Sequence, residues 1–216
     1  MAITYPLSTP TDIGIAQIEL SARNAVAVSQ SPFTFATQTH SYAGQMWQAT
    51  VTIPPVRREY SEPWVAFLLS LKGPTGTFLL GDPAGATPRG SGLVDTNGVQ
   101  VDNAAASGVN VANDSTIYVD GFTPSETGVL LPGDYIQLGT GSSARLHKVL
   151  TQVDADTNGA AEIDIWPAIR RDLVDDEAVT IQDPKGLFRL ATPVQSWSIN
   201  ESSVYGLSFE CMEVVA

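Results

Sequence analysis

Apolar and polar residues alternate in Gln17-Ile18-Glu19-Leu20-Ser21-Ala22-Arg23, which predicts a β-strand with one wet face. Val26 and Val28 continue the pattern after Asn24-Ala25. Phe33-Thr34-Phe35 predicts the start of another strand, and Ser41-Tyr42-Ala43-Gly44 reads as a turn. In Met46-Trp47-Gln48-Ala49-Thr50-Val51-Thr52-Ile53 the residues Trp47, Ala49, Val51 and Ile53 fall on one face, and Pro54-Pro55 is expected to stop the strand. The period then changes from two to 3.6. Trp64, Phe67, Leu68 and Leu71 recur at i, i+3, i+4 and i+7, predicting one amphipathic helix at about 61–72. Ser61 is its expected N-cap, with Glu62 and Pro63 in the first turn and Lys72 in the last. Gly73 is the expected left-handed cap, and Pro74 prevents continuation. A helix of that length is not stable alone, so its apolar stripe must pack on a sheet. Thr77-Phe78-Leu79-Leu80 predicts the next strand, stopped by Gly81-Asp82-Pro83.

From Pro83 to about Gly108 the chain is rich in Gly, Ala, Asp and Asn. It reads as a linker and a weak hairpin around Asn97-Gly98. Short strands follow at Thr116–Val119, Tyr135–Leu138, Leu146–Leu150, Glu162–Trp166 and Val179–Ile181. Their separators are Pro132-Gly133-Asp134, Gly139-Thr140-Gly141-Ser142 and Asp154 to Gly159. Regular spacing of this kind suggests a small barrel or sandwich. At the end, Gln195–Ile199 and Ser203–Val214 predict a hairpin around Asn200-Glu201-Ser202. Its long second arm needs partners in the first sheet. The expected organisation is all-β and mainly antiparallel, with one short flanking helix. Residues 1–83 and 189–216 form one β-sandwich domain, and residues 84–188 form a small β-barrel or sandwich inserted into it.

Hydrophobic residues are 43% of the chain and charged residues 16%, enough apolar material for a packed core. No apolar run approaches the ~18–20 residues that span a bilayer. Met1-Ala2-Ile3-Thr4 lacks a basic segment followed by an apolar one, so no secretion signal is expected. Cys211, the single cysteine, excludes an intramolecular disulfide and reads as a buried small hydrophobe. The formal net charge of −12 speaks against binding to phosphate backbones, although an acidic wall would let DNA slide past it.

Candidate chemistry is sparse. His40 and His147 lie in strand contexts without a second His or a Cys at metal-ligand spacing. Gly139 and Gly141 flank Thr140 without the strand-to-helix context of a phosphate loop. Asp154, Asp156 and Asn158 with Gly159 match the first half of a calcium loop. Position twelve is Ile165 where a Glu is required, so a plain hairpin turn is the expectation. Asp172, Asp175, Asp176 and Glu177, beside Arg170 and Arg171, read as a solvated and partly self-neutralised loop. Trp47, Trp64, Trp166 and Trp197 are expected core anchors; Trp166 or Tyr118 is the alternative basis for a carbohydrate platform. No catalytic residue, cofactor or metal is expected.

Met46–Pro55, the helix Trp64–Gly73 and the strand Thr77–Pro83 resemble the N-terminal part of minor tail proteins of siphophages, as do Leu131–Gly139, Ile165-Trp166-Pro167 and Pro184–Leu190. The closest likeness is to distal tail proteins, over nearly the whole chain, in order and style more than in any diagnostic motif. The resemblance implies a belt domain shaped like a tail-tube subunit, a β-sandwich with one flanking helix, and an inserted galectin-like or OB-like domain. Six copies would form a ring around the DNA channel at the distal end of the tail of the virion. That ring would join the tail tube protein to the tail-tip hub protein and offer a place for receptor-binding proteins. DNA would pass through its lumen without specific binding, and nothing would insert in a membrane. An insert of about a hundred residues with a Gly/Ala-rich start is small for a complete galectin-like sandwich. Residues 1–12 and the segment His40 to Gly44 are the expected subunit contacts. The alternative is a receptor- or carbohydrate-binding tail module acting through the insert; a tail-associated hydrolase is disfavoured by the lack of a local acid/base pair.

Overall fold

A computed structural model describes residues 3–96, 98–104, 108–201 and 203–215. Met1, Ala2, Asn97 of the expected Asn97-Gly98 turn and Ser202 of the expected Asn200–Ser202 turn lie outside the described residues.

The two periodicities build one helix and two sheets. The strands are β1 (Leu7–Ser8), β2 (Gln17–Gln30), β3 (Thr37–Arg57), β4 (Thr77–Leu80), β5 (Gln100–Val101), β6 (Thr116–Asp120) and β7 (Tyr135–Leu138). They continue with β8 (Arg145–Val149), β9 (Ala161–Trp166), β10 (Val179–Thr180), β11 (Gly186–Leu190), β12 (Trp197–Ile199) and β13 (Val204–Glu213). Helix α1 is Arg58–Ser70. The first sheet runs β1-β4-β11-β13-β3-β2, with β12 also on β13; the second runs β10-β7-β8-β9-β6-β5. All named pairings are antiparallel except β1 on β4. The fold is all-β with one flanking helix. No described helix is long and apolar enough to cross a membrane.

The second sheet nearly closes into a barrel. Val101 N–H donates to the Glu177 carbonyl at 2.9 Å and Val179 N–H to the Val99 carbonyl at 2.9 Å, which brings the β5 edge to the β10 edge. Ile117, Val119, Ile136, Val149, Ile163 and Ile165 fill its interior. The stretch after Pro83, expected as a linker, lies along this barrel. Ser91 and Gly92 N–H bond the carbonyls of Gly128 and Val129, each at 3.0 Å, and buried Asp134 accepts from Arg89 N–H (2.9 Å) and Leu131 N–H (2.8 Å).

The chain leaves the first sheet at β4 and re-enters it at β11, and those strands pair directly, Leu80 opposite Gly186. Both ends of the intervening segment therefore meet at one place. The boundary expected between 188 and 189 falls inside β11, since Gly186, Leu187 and Phe188 already pair with β4.

Trp64, Phe67, Leu68 and Leu71 are buried against the first sheet beside Val51, Ile53, Phe78 and Phe209. Phe67 meets Phe78 edge to face at 5.4 Å between ring centroids, and Trp64 lies 6.1 Å from Phe209. The helix starts three residues before the expected Ser61, because β3 runs straight into it at Arg57 and no separate cap is made. Ser61 is buried one turn in, and its hydroxyl donates back to the Arg58 carbonyl at 3.2 Å. Arg58 pairs instead with Glu62 at 2.9 Å on the exposed side. At the other end, Lys72 is already left-handed (φ 52°) and so lies outside the helix, followed by Gly73 at φ 67°.

Three further expectations are corrected. Pro54-Pro55 does not end β3, which continues to Arg57. A register shift opposite Gly206 interrupts the β13 pairing at the prolines, and β2 pairs no further than Thr52, so neither neighbour needs a regular ladder there. Phe33-Thr34-Phe35 is the tip of a hairpin, not a strand. Ser41–Gly44 is not a turn. The register jumps from Asn24 opposite Gln45 to Val26 opposite Ser41, so Tyr42-Ala43-Gly44 bulges from β3 opposite Ala25.

Candidate functional site

Strands β2 and β3 begin as ordinary sheet strands and end as a free ribbon. From Gln17–Arg23 against Met46–Thr52, alternate side chains such as Ile18, Leu20, Trp47 and Val51 face the core. Strand β13 pairs with β3 only as far as Gln48. Outward from Asn24 and Gln45, neither edge of the two-stranded ribbon has another strand beside it among the described residues. At about 3.4 Å per residue, Asn24 to Gln30 carries the ribbon roughly 20 Å outward. Every described residue from Ser21 to Gly44 except Ser31 is exposed.

The ribbon's composition is unusual for an exposed element. No residue between Arg23 and Arg57 carries a formal charge at neutral pH, in a chain of net charge −12. Free strand edges are ordinarily guarded by Lys, Pro or inward charge. Here Val26 and Val28 stand exposed on one face, over Ser41 and Thr39. At the tip, Ser31 N–H donates to the Ala36 carbonyl at 2.9 Å and Phe35 N–H to the Ser31 carbonyl at 2.9 Å. Phe35 takes a left-handed φ of 56°, and the turn leaves Phe33 91% and Phe35 71% exposed. His40 stacks edge to face on Tyr42 at 4.7 Å, within the segment expected as a subunit contact. The other expected contact, residues 1–12, is partly spent on the chain itself. Tyr5 hydroxyl donates to the Ser70 carbonyl at 2.6 Å, and β1 pairs with β4.

The base of the ribbon is clamped by the segment after β9. Trp166 Nε1 donates to Asn24 Oδ1 at 2.8 Å, Ala168 N–H donates to Gln45 Oε1 at 2.7 Å, and an Arg170 amine donates to the Gln45 carbonyl. Trp166 meets Trp47 edge to face at 4.5 Å. Buried Glu213 accepts from Trp47 N–H at 3.0 Å and from Arg170 at 3.2 Å. Burial outweighs this attraction and holds its carboxyl above the ordinary range.

The remaining candidates disperse. Asp154 accepts from Gly128 N–H at 2.7 Å and Gln152 Nε2 at 2.9 Å, while Asp156 accepts from Asn158 N–H at 2.7 Å and Ala160 N–H at 2.9 Å. These bonds hold both carboxyls below their usual range; those of Asp156 are local to its own turn, and Asp154 ties that loop to Gly128. No cluster of three metal-ligating side chains forms among the described residues. In the acidic run, Asp172 accepts from Ala112 N–H at 3.0 Å, Asp175 accepts from Asn103 N–H at 2.8 Å, and Glu177 pairs with Arg171. Thr140 and Ser143 bond each other across the β7–β8 loop. Cys211 is buried, and burial pushes its thiol up to about 12, so it stays protonated. Trp64 and Trp47 are core, Trp166 is half-buried at the clamp, and Trp197 lies on the exposed β12. The uncharged run between Arg23 and Arg57 was the available signal for the ribbon.

His147 is buried, with Nδ1 2.7 Å from the Pro167 carbonyl, and burial pushes it down from 6.5 to about 4. A base depressed in the fold is neutral there while the unfolded chain still takes up a proton. Its contribution is therefore complete above pH 6.5 and is lost as pH falls from 6.5 through 4. The whole shift corresponds to about 3 kcal/mol. Urea unfolding from pH 7 to 4 is expected to show the wild type losing about that much more stability than His147→Gln. Parallel curves for the two proteins would contradict the assignment.

No protein-family model matches this chain, and no curated protein matches it.

Proposed function

We propose that this chain is a structural, non-enzymatic component of a long-tailed bacteriophage virion. Copies of it close into a ring, six in number, at the distal end of the tail tube, around the DNA channel and against the tail-tip hub. The observation that carries this reading is the ribbon. An uncharged two-stranded projection with unpaired edges and exposed phenylalanines is an aggregation hazard on a free monomer. On a subunit that closes by rotation, each ribbon lies on the next copy, a heterologous contact repeated until the ring is complete. The resemblance of Met46–Pro55, the helix and the Thr77–Pro83 strand to siphophage minor tail proteins supports the same reading. The acidic balance suits a channel wall past which DNA must slide.

The variant Phe33→Ser with Phe35→Asn tests the ribbon, because asparagine tolerates the left-handed conformation and keeps the turn. Both side chains are exposed, so folding stability is expected to change by no more than about 0.5 kcal/mol. Self-association followed by sedimentation over a concentration series is expected to weaken roughly tenfold or more. Unchanged association in a well-folded variant would remove the ribbon from the assembly.

A further inference from the structure

The chain holds 11 Lys and Arg against 23 Asp and Glu, yet three of its arginines line one small cavity. Arg145 comes from β8, and Arg170 and Arg171 from the segment after β9. With Ser142, Ser143 and His147 they surround about 130 Å³, and Leu138, Ile169 and Leu173 supply its apolar wall. Charge compensation there is incomplete. Arg170 pairs with Glu213 at 3.2 Å and Arg171 pairs with Glu177. Arg145 makes no direct ion pair among the described residues and shares the attraction of Glu213 with Arg170; its Nη1 donates to the carbonyls of Ala144 (2.9 Å) and Ser142 (3.4 Å). Arg170 Nε is buried with no acceptor among the described residues.

From this geometry we infer that the cavity binds a compact oxyanion, a phosphate-sized ion or a carboxylate, held by Arg145, Arg170 and Arg171. The planar guanidinium fork matches two oxygens of either group, and charge-assisted bonds of this kind are the stronger class. An anion supplies the further countercharge that three arginines beside only Glu213 and Glu177 lack. Burial holds the Arg145 guanidinium below its ordinary value against the attraction of Glu213, and repulsion from Arg170 and Arg171 adds to the lowering. Small-molecule pockets usually run to several hundred Å³, so a space of this size selects a small ion and not a nucleotide. The inference stands independently of ring formation.

Titration calorimetry on the full chain at pH 7 tests it, with inorganic phosphate and sodium acetate as separate probes at ionic strength matched with chloride. Saturable binding of at least one probe, with one site per chain, is expected. Preference for phosphate would assign the site to a free tetrahedral anion, and preference for acetate to a carboxylate. Arg145→Gln is expected to weaken binding about tenfold or more, and Arg145→Lys to weaken it less. Arg58→Gln, on the exposed face of α1, is expected to leave it unchanged. Should Arg145→Gln fail to fold, Arg171→Gln, on a partly exposed side chain, takes its place with the same expected loss. Absence of saturable binding for both probes would overturn the inference, as would wild-type affinity in a folded Arg145→Gln or Arg171→Gln protein.

Discussion

Replacing Trp64 with alanine is expected to cost about 3–5 kcal/mol of folding free energy, the range for emptying a large aromatic site in a core. Trp64 is 1% exposed and lies at the centre of the contact between α1 and the first sheet, 5.7 Å from Phe67 and 6.1 Å from Phe209. The helix carries few other reasons to stay. It has no side-chain N-cap, and Pro63 one turn in removes the backbone bond that would reach the Glu59 carbonyl. Its stability therefore comes from the buried stripe. Trp64 Nε1 has no acceptor among the described residues, so Trp64→Phe sheds an unsatisfied donor along with ring volume. That variant is expected to lose far less than Trp64→Ala. Leu69→Ala, on the exposed face at 56% exposure, is expected to stay within about 0.5 kcal/mol. Chemical denaturation of the three variants measures the ordering; equal costs for Trp64→Ala and Leu69→Ala would contradict the packing described.

The second large effect is expected at Arg170. Its side chain and that of Glu213 are nearly buried, and together they join the segment after β9, the last strand and the ribbon base. Arg170→Met removes one partner and leaves a carboxylate in a dry site, at an expected cost of about 3–5 kcal/mol near neutral pH. Adding Glu213→Gln removes the orphaned charge and keeps an acceptor for Trp47 N–H. The double variant is expected to recover most of the loss. Denaturant unfolding of both proteins measures this, and a double variant as unstable as Arg170→Met alone would contradict it. The paired charges are thus better described as fixing where the ribbon leaves the body than as a large net source of stability.

These features are legible in the sequence where a period is long and its two faces differ. The stripe Trp64, Phe67, Leu68 and Leu71 locates the helix, but Arg58, Glu59 and Tyr60 add no apolar period, so the sequence points to the cap-like Ser61 as its start. The alternation in Met46–Ile53 located the middle of β3. Its extension through Pro54-Pro55 depends on a register shift opposite Gly206 and on an absent β2 neighbour, neither of which is local. Phe33 and Phe35 mimic strand alternation because a turn tip, like a strand, can display every second side chain. The ribbon edges were hidden for a related reason. An unpaired strand has the same composition as a paired one until a partner is known to be missing. What remained legible there was the missing charge between Arg23 and Arg57. The arginine cavity is the least accessible feature, since Arg145 and Arg170 meet only through the pairing of β8 with β9, whose register the sequence does not give.

The most direct test of the ring is the mass of the purified full chain in solution, followed by its image. A closed species near six times the 22.9 kDa chain mass, seen as annuli, is expected, with smaller species for Phe33→Ser with Phe35→Asn. A wild-type protein that stays monomeric at the highest concentration it tolerates would contradict ring formation. So would an open filament of no fixed mass.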